Sequence, residues 1–215
     1  MVILGTNEPS MSGFDSSDDE NEGEVDLSPF KIDWLDLSYL GLVEPLGISA
    51  LPGCRFKDVW RNLEADIESI KSLEISDVFC FCSRGELHKY RVTWLLQEYT
   101  KADITTYHYP FPDGCTPTIG NLVKMLEQLK LNLMEGKKSL IHCFGGLGRA
   151  CLVACCFLLY MDPTCTPEVA IAKVQQIRGP RAIQSVKQYN QIHDFRKDYE
   201  KYSTQHGEAF RSVSR

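Results

Sequence analysis

The stretch "LIHCFGGLGRACLV", residues 140–153, constrains this chain more than any other. One apolar run leads into it and another leaves it. Between them His142, Cys143, Gly145, Gly146, Gly148 and Arg149 fall within eight positions. The preceding "KSLIHC" is short and apolar, as a buried strand is. Residues 147–160 are nearly all apolar, so a helix buried on every side is predicted there. Strand, glycine-rich loop and helix in that order make a unit suited to anions. Glycines let the backbone curl until consecutive N–H groups converge. The helix N-terminus adds its positive end, and Arg149 offers a planar fork for two phosphate oxygens.

A cysteine at the floor of such a nest is expected to be a thiolate at neutral pH. Lowering its pKa from ~8.5 to ~5.5 needs about 4 kcal/mol of preference for the charged form. An exposed helix dipole supplies only ~0.3–1 kcal/mol. Several converging N–H donors and Arg149 must therefore supply the rest, which is a reason for glycines here. Of the nine cysteines, only Cys143 is followed six residues later by an arginine. A plain strand-to-helix turn around a buried cysteine is the competing reading. A Walker-type phosphate loop is excluded because no Gly-Lys-Ser/Thr occurs here.

The rest of the chain supplies the fold class. "DVFCFC" (77–82) and "DITTYHY" (103–109) read as strands. Val59, Leu63, Ile67, Ile70 and Leu73 repeat at helical spacing, predicting a helix over 56–73. "ELHKYRVTWLLQEYT" reads as one helix. "TPTIGNLVKMLEQLKLNLMEG" reads as another, with Thr116 as cap, Pro117 in the first turn and Gly136 as stop. "TPEVAIAKVQQIRG" repeats that grammar, and residues 185–201 form a last amphipathic helix. The alternation implies an α/β fold with a central, mostly parallel sheet flanked by helices. Active crevices in such sheets lie beyond the carboxyl ends of the strands, where Cys143 falls. Asp113, in the Pro/Gly loop "YPFPDGCTP", leaves the same edge of the sheet. It is a candidate acid for a leaving oxygen, although Asp-Gly is also an ordinary turn pair.

Charge and cysteine usage narrow the partners. Residues 1–30 hold eight acidic side chains and no Lys or Arg, which leaves a body near +2 within a chain of formal charge −6. A nearly neutral body argues against non-specific nucleic-acid binding. Residues 1–28 read as a disordered acidic tail, and 29–215 as one folded domain. Ser16 and Ser17 each precede an acid by three residues. They read as a site for an acid-directed kinase or as part of a solvated charge run. The start lacks a basic n-region, and the longest apolar stretch, 12 residues, is too short to span a bilayer. No membrane association and a cytoplasmic or nuclear location are expected. The cysteine count is odd and no CxxC pair occurs, so reduced thiols and no metal site are expected.

The segment "HCFGGLGRA" resembles the signature of cysteine-dependent protein phosphatases, His-Cys-x5-Arg followed by Ser or Thr. "PDGCTPTI", "RAIQSVKQYNQIHDF", the long segment 51–92 and the closing "RSVSR" extend the resemblance to dual-specificity-type members acting on cyclin-dependent kinases. The resemblance implies Cys143 as nucleophile and Arg149 as phosphate clamp. Phe144, Gly145, Gly146, Leu147 and Gly148 then form the phosphate-binding loop, with His142 as a neighbour ordering it. It further implies Asp113 as general acid and Gln184 as the residue that helps place water. The implied substrate is phosphothreonine, with phosphotyrosine and phosphoserine, in the activation loop of a phosphorylated cyclin-dependent kinase. No cofactor is required, and a monomer is expected. Position 150 departs from the pattern: it is Ala where the family has Ser or Thr. That departure keeps open a phosphoprotein-binding adaptor with low turnover. The absence of lysine between Cys143 and Arg149 weighs against lipid or RNA phosphates. The late helix, 185–201, is a candidate docking surface for a kinase-sized substrate.

Overall fold

The carboxyl edge of a parallel sheet, where loop and helix N-termini gather, is built here from five strands. The computed structural model describes residues 24–213, with side chains as far as residue 205. Ser16, Ser17 and most of the acidic tail lie outside the described residues. The end of that segment, 24–28, lies against the body: the Asp26 N–H donates to the Trp60 carbonyl, and its carboxylate pairs with Arg61 at 2.9 Å.

In chain order the elements are β1 (Ile32–Leu35), a single 3₁₀ turn (Ser38–Leu40), β2 (Leu46–Ser49), β3 (Arg55–Phe56), β4 (Val59–Trp60), α1 (Leu63–Ser72), β5 (Ile75–Cys80), α2 (Arg84–Lys89), α3 (Leu95–Lys101), β6 (Thr105–His108), α4 (Ile119–Met134), β7 (Lys138–His142), α5 (Arg149–Met161), α6 (Pro167–Arg178) and α7 (Val186–Val213). The main sheet runs β1-β2-β7-β5-β6. All its pairings are parallel except that of β1 with β2. The predicted fold class is thus the observed one, with β7 as the middle strand.

Several boundaries differ from those predicted. The helix expected over 56–73 starts at Leu63. Lys57 turns left-handed (φ 54°) and makes β3–β4 a hairpin, and Asn62 then caps α1 by accepting from the Ala65 N–H. The segment read as one helix over 86–100 is two, α2 and α3, broken where Arg91 adopts φ 58°. Thr118, and not Thr116, caps α4, accepting from the Asn121 N–H. The edge strand β1 and its neighbour β2 were not predicted. By contrast, α6 starts at Thr166-Pro167 and ends at Gly179 as its sequence specifies.

Helix α5 is buried from Arg149 through Leu159 and packs with α4, β7 and α7 in one apolar cluster. A second cluster fills the opposite side of the sheet around Val78, Leu95 and Tyr99. The central β7–loop–α5 unit is therefore clamped from both faces.

Candidate active site

Four consecutive peptide planes decide the shape of the loop after β7. In a trans peptide the carbonyl of one residue and the N–H of the next point in opposite directions. The Phe144 carbonyl accepts from the Leu51 N–H at 2.9 Å, and the Leu147 carbonyl from the Ile183 N–H at 2.8 Å. Between them, Arg178 takes the other two: its Nη2 donates to the Gly145 carbonyl and its Nε to the Gly146 carbonyl, each at 3.0 Å. The Cys151 thiol also donates to the Gly146 carbonyl, at 3.3 Å. With these four carbonyls held toward the body, the N–H groups of residues 145–148 line the other, concave side. This is the predicted nest.

One of the glycines is required by contact with backbone, and a second leaves room for a glutamine side chain. Gly146 is left-handed (φ 64°), and a Cβ there would lie 2.3 Å from the Ser49 carbonyl oxygen. A Cβ on Gly148 would lie 2.8 Å from Gln184 Oε1. Phe144 leans the other way, stacked on Tyr90 at 4.2 Å between ring centroids, with Phe56 edge-on to both. That aromatic wall fixes the start of the loop.

Cys143 follows β7 directly and is 2 % exposed, so it lies at the bottom of the loop rather than on its rim. Two other thiols are made inert by burial: it pushes Cys54 up to about 11 and Cys151 up to about 12, keeping both neutral at physiological pH. His142 is fully buried, and its Nε2 meets the Tyr99 hydroxyl at 3.0 Å, which ties the end of β7 to α3.

Arg149 is fully buried and extensively bonded. Nη1 donates to Glu86 Oε2 (2.9 Å) and to the Phe81 and Phe111 carbonyls (3.0 and 3.1 Å), and Nη2 to Glu86 Oε1 (2.6 Å). Burial favours loss of its proton, but the Glu86 bonds outweigh it, so the guanidinium is held above its ordinary value. Arg149 Nε lies 3.2 Å from Asp113 Oδ1 without being aligned to donate to any described residue. The fork is therefore fixed at its tip by Glu86, while Nε keeps its donor free. Asp113 is 57 % exposed in side chain, on a loop secured by Arg149 at Phe111 and by Ser185, whose hydroxyl donates to the Gly114 carbonyl at 2.8 Å.

Gln184 sits across the loop, beside Gly148. Its neighbour Ile183 is held at φ 67°, a strained conformation for a β-branched residue. The bond from the Ile183 N–H to Leu147 compensates for that strain. Gln188, fully buried, accepts from the Gln184 N–H through Oε1 at 3.0 Å. The structure thus brings Cys143, Arg149, Asp113 and Gln184 around one loop.

Sequence reasoning missed three supporting residues. Glu86 carried a readable signal, since Ser83-x-x-Glu86 is a capping box whose acid also accepts the Ser83 N–H. Arg178 had none: a basic residue in the last turn of a helix is ordinary. It is anchored by an ion pair with Asp33 on β1. Gln188 was indistinguishable from any polar residue of an amphipathic helix.

A pH prediction arises from Glu86. Burial raises its pKa, but the Arg149 bonds and the Ser83 N–H lower it further, for a net depression. Its stabilisation is present above the unfolded value of ~4.3 and is lost as pH falls through the lower folded value. Glu86→Gln is therefore expected to be less stable than the parent at pH 7 and to converge with it toward pH 3. Urea midpoints across that range check this; parallel curves would refute it.

A mostly parallel sheet whose middle strand runs through a Cys-x5-Arg amide loop into a buried helix defines a cysteine-dependent protein phosphatase. Comparison with known proteins narrows the class. The family model for cyclin-dependent kinase inhibitor 3 matches residues 7–171. The chain is 49% identical to cyclin-dependent kinase inhibitor 3 of Rattus norvegicus over 204 residues, covering 95% of this chain and 96% of that one. It is 48% identical to the Homo sapiens protein with the same coverage. A crystal structure of kinase-associated phosphatase, with serine substituted for its catalytic-site cysteine, matches with TM-score 0.78 and 49% identity over 80% of this chain and 97% of that one. This chain belongs to the cyclin-dependent kinase inhibitor 3 family.

Proposed function

We propose that the protein hydrolyses phosphothreonine, and also phosphotyrosine and phosphoserine, in two steps through a phosphocysteine. Its physiological substrate is the activation loop of a phosphorylated cyclin-dependent kinase. The observation that carries the reading is the set of four carbonyls held toward the body, which turns the amides of residues 145–148 to the concave side of the loop. The names of its relatives support the choice of kinase.

The phosphoryl group seats in the loop with its equatorial oxygens on the amides and on Arg149 Nε. The Cys143 thiolate attacks phosphorus in line. The P–O bond to the substrate breaks, and Asp113 gives its proton to the leaving oxygen. In the second step water attacks the phosphocysteine. Asp113 takes the water's proton, Gln184 orients the water, and the thiolate leaves with release of inorganic phosphate. The positive charge needed throughout comes from the amides and the arginine. A cleft of about 630 Å³ beside this centre, lined by Glu86, Lys89, Tyr90, Phe111 and Asp113, offers room for the polypeptide flanking the phosphoresidue.

Phosphate release from an intact, activation-loop-phosphorylated cyclin-dependent kinase, with and without cyclin, tests the reading. Release that stops in a Cys143→Ser variant supports it; none from any phosphoprotein would overturn it. The late helix, as a docking surface, is tested in the same assay by substitutions at exposed Val186 and Tyr189.

Ala150, fully buried at the second position of α5, favours a second reading: an adaptor that captures phosphoproteins and turns over slowly. A hydroxyl at this position would stabilise the departing thiolate. In the enzymatic reading, Ala150→Ser is expected to speed the second step by roughly tenfold, the equivalent of one hydrogen bond. Rapid-quench kinetics should show a burst of leaving group in the parent that shrinks in the variant. Equal turnover with no burst in either would remove the idea.

A further inference from the structure

We propose that Ser28 is a phosphorylation site for a proline-directed kinase and that its phosphate docks on Arg61. The segment "LSPFK" (27–31) presents a serine followed by proline, with a lysine three residues after the serine. Proline has no N–H to satisfy. A kinase whose cleft leaves that position without an acceptor selects proline there, and an anionic subsite reads the lysine. Ser28 and Pro29 are exposed, and the Lys31 side chain is 78 % exposed.

The second observation is the guanidinium already facing the hydroxyl. Arg61 is only 13 % exposed in side chain and is fixed from behind by Asp66, which accepts from its Nε and Nη2 at 2.9 and 2.7 Å. Asp66 is itself buried and held by the Gly53 N–H at 2.8 Å. Arg61 Nη1 points outward, to Asp26 Oδ2 at 2.9 Å and to Ser28 Oγ at 3.4 Å. Its Nη2 also donates to the Ser28 carbonyl at 2.8 Å. A preorganised arginine beside an exposed serine suits a phosphoserine. In the transfer, Ser28 Oγ bonds to the γ-phosphorus of ATP, the bond from that phosphorus to the β,γ-bridging oxygen breaks, the hydroxyl proton passes to the kinase's base, and ADP leaves. The new dianion displaces the Asp26 carboxylate from Nη1, because two anions cannot share that donor without repulsion.

Arg61 is also near the start of the loop. Arg61 directly follows β4, whose partner β3 carries Phe56, and Phe56 packs on Phe144. The test uses the full chain carrying Cys143→Ser, so that the protein removes phosphate neither from itself nor from the kinase. It is incubated with ATP and active cyclin-bound cyclin-dependent kinase as the proline-directed probe. Tandem mass spectrometry is expected to place a phosphate on Ser28. Pro29→Ala should slow the modification about tenfold or more, the loss of roughly 1.4 kcal/mol of recognition. Lys31→Ala should slow it by several-fold. An unmodified Ser28 in the folded chain, or a rate indifferent to Pro29 and Lys31, would overturn the site. For docking, phosphorus NMR should give a second pKa below the ~6 of phosphoserine, and below that of a free phosphopeptide of residues 24–34. Identical values in chain and peptide would overturn the contact with Arg61. Because the site is separate from Cys143, it stands or falls independently of the phosphatase's own substrate.

Discussion

Cys143→Ser is expected to lower phosphate release by on the order of 10⁵-fold or more, the scale of nucleophile removal in enzymes that act through a covalent intermediate. The reason is nucleophilicity. Sulfur attacks phosphorus and later leaves it far more readily than a serine oxygen held in the same place. Serine is also nearly isosteric, so the loop carbonyls stay bonded to Leu51, Arg178 and Ile183. Phosphopeptide binding should therefore persist while turnover disappears. Calorimetry beside a phosphate-release assay separates the two. Turnover within tenfold of the parent would exclude Cys143 as the nucleophile.

Arg149→Lys is expected to lower kcat by about 10³, the upper range for loss of one charge-stabilising donor at a transition state. Lysine keeps the charge but loses the planar fork. It cannot bond both oxygens of Glu86 and also present a side donor like Nε to the phosphate. Arg149→Met goes further, because it leaves Glu86 and the Phe81 and Phe111 carbonyls without their cation. Breaking a buried pair in this way costs about 3–5 kcal/mol. The two variants thus distinguish the catalytic from the structural share: the lysine protein should remain folded and slow. A lysine variant with parental kcat would show that the guanidinium serves only to hold α2 and the Asp113 loop.

The loop was legible in the sequence because it is local. Cys143, three glycines and Arg149 lie within seven residues, between a strand and a helix that two apolar runs reveal. Thr166-Pro167 and Gly179 marked α6 for the same reason: caps act over three or four residues. What supports the chemistry was not legible. Arg178 reaches the loop from a helix end 32 residues away and leans on Asp33, and neither residue is unusual among its neighbours. The break at Arg91 and the hairpin turn at Lys57 were hidden because non-glycine residues there adopt positive φ, which composition does not announce. The strand β2 escaped because LGIS is too short for a period to show, although all four residues are buried.

Asp33 belongs to the first strand made and Arg178 to the last third of the chain, yet the amide cup depends on their meeting. Such a sequence separation is slow to close during folding. A nascent or clipped chain can therefore carry the whole Cys-to-Arg segment and still lack a competent site. The cup takes its shape only when β1 and the end of α6 have met.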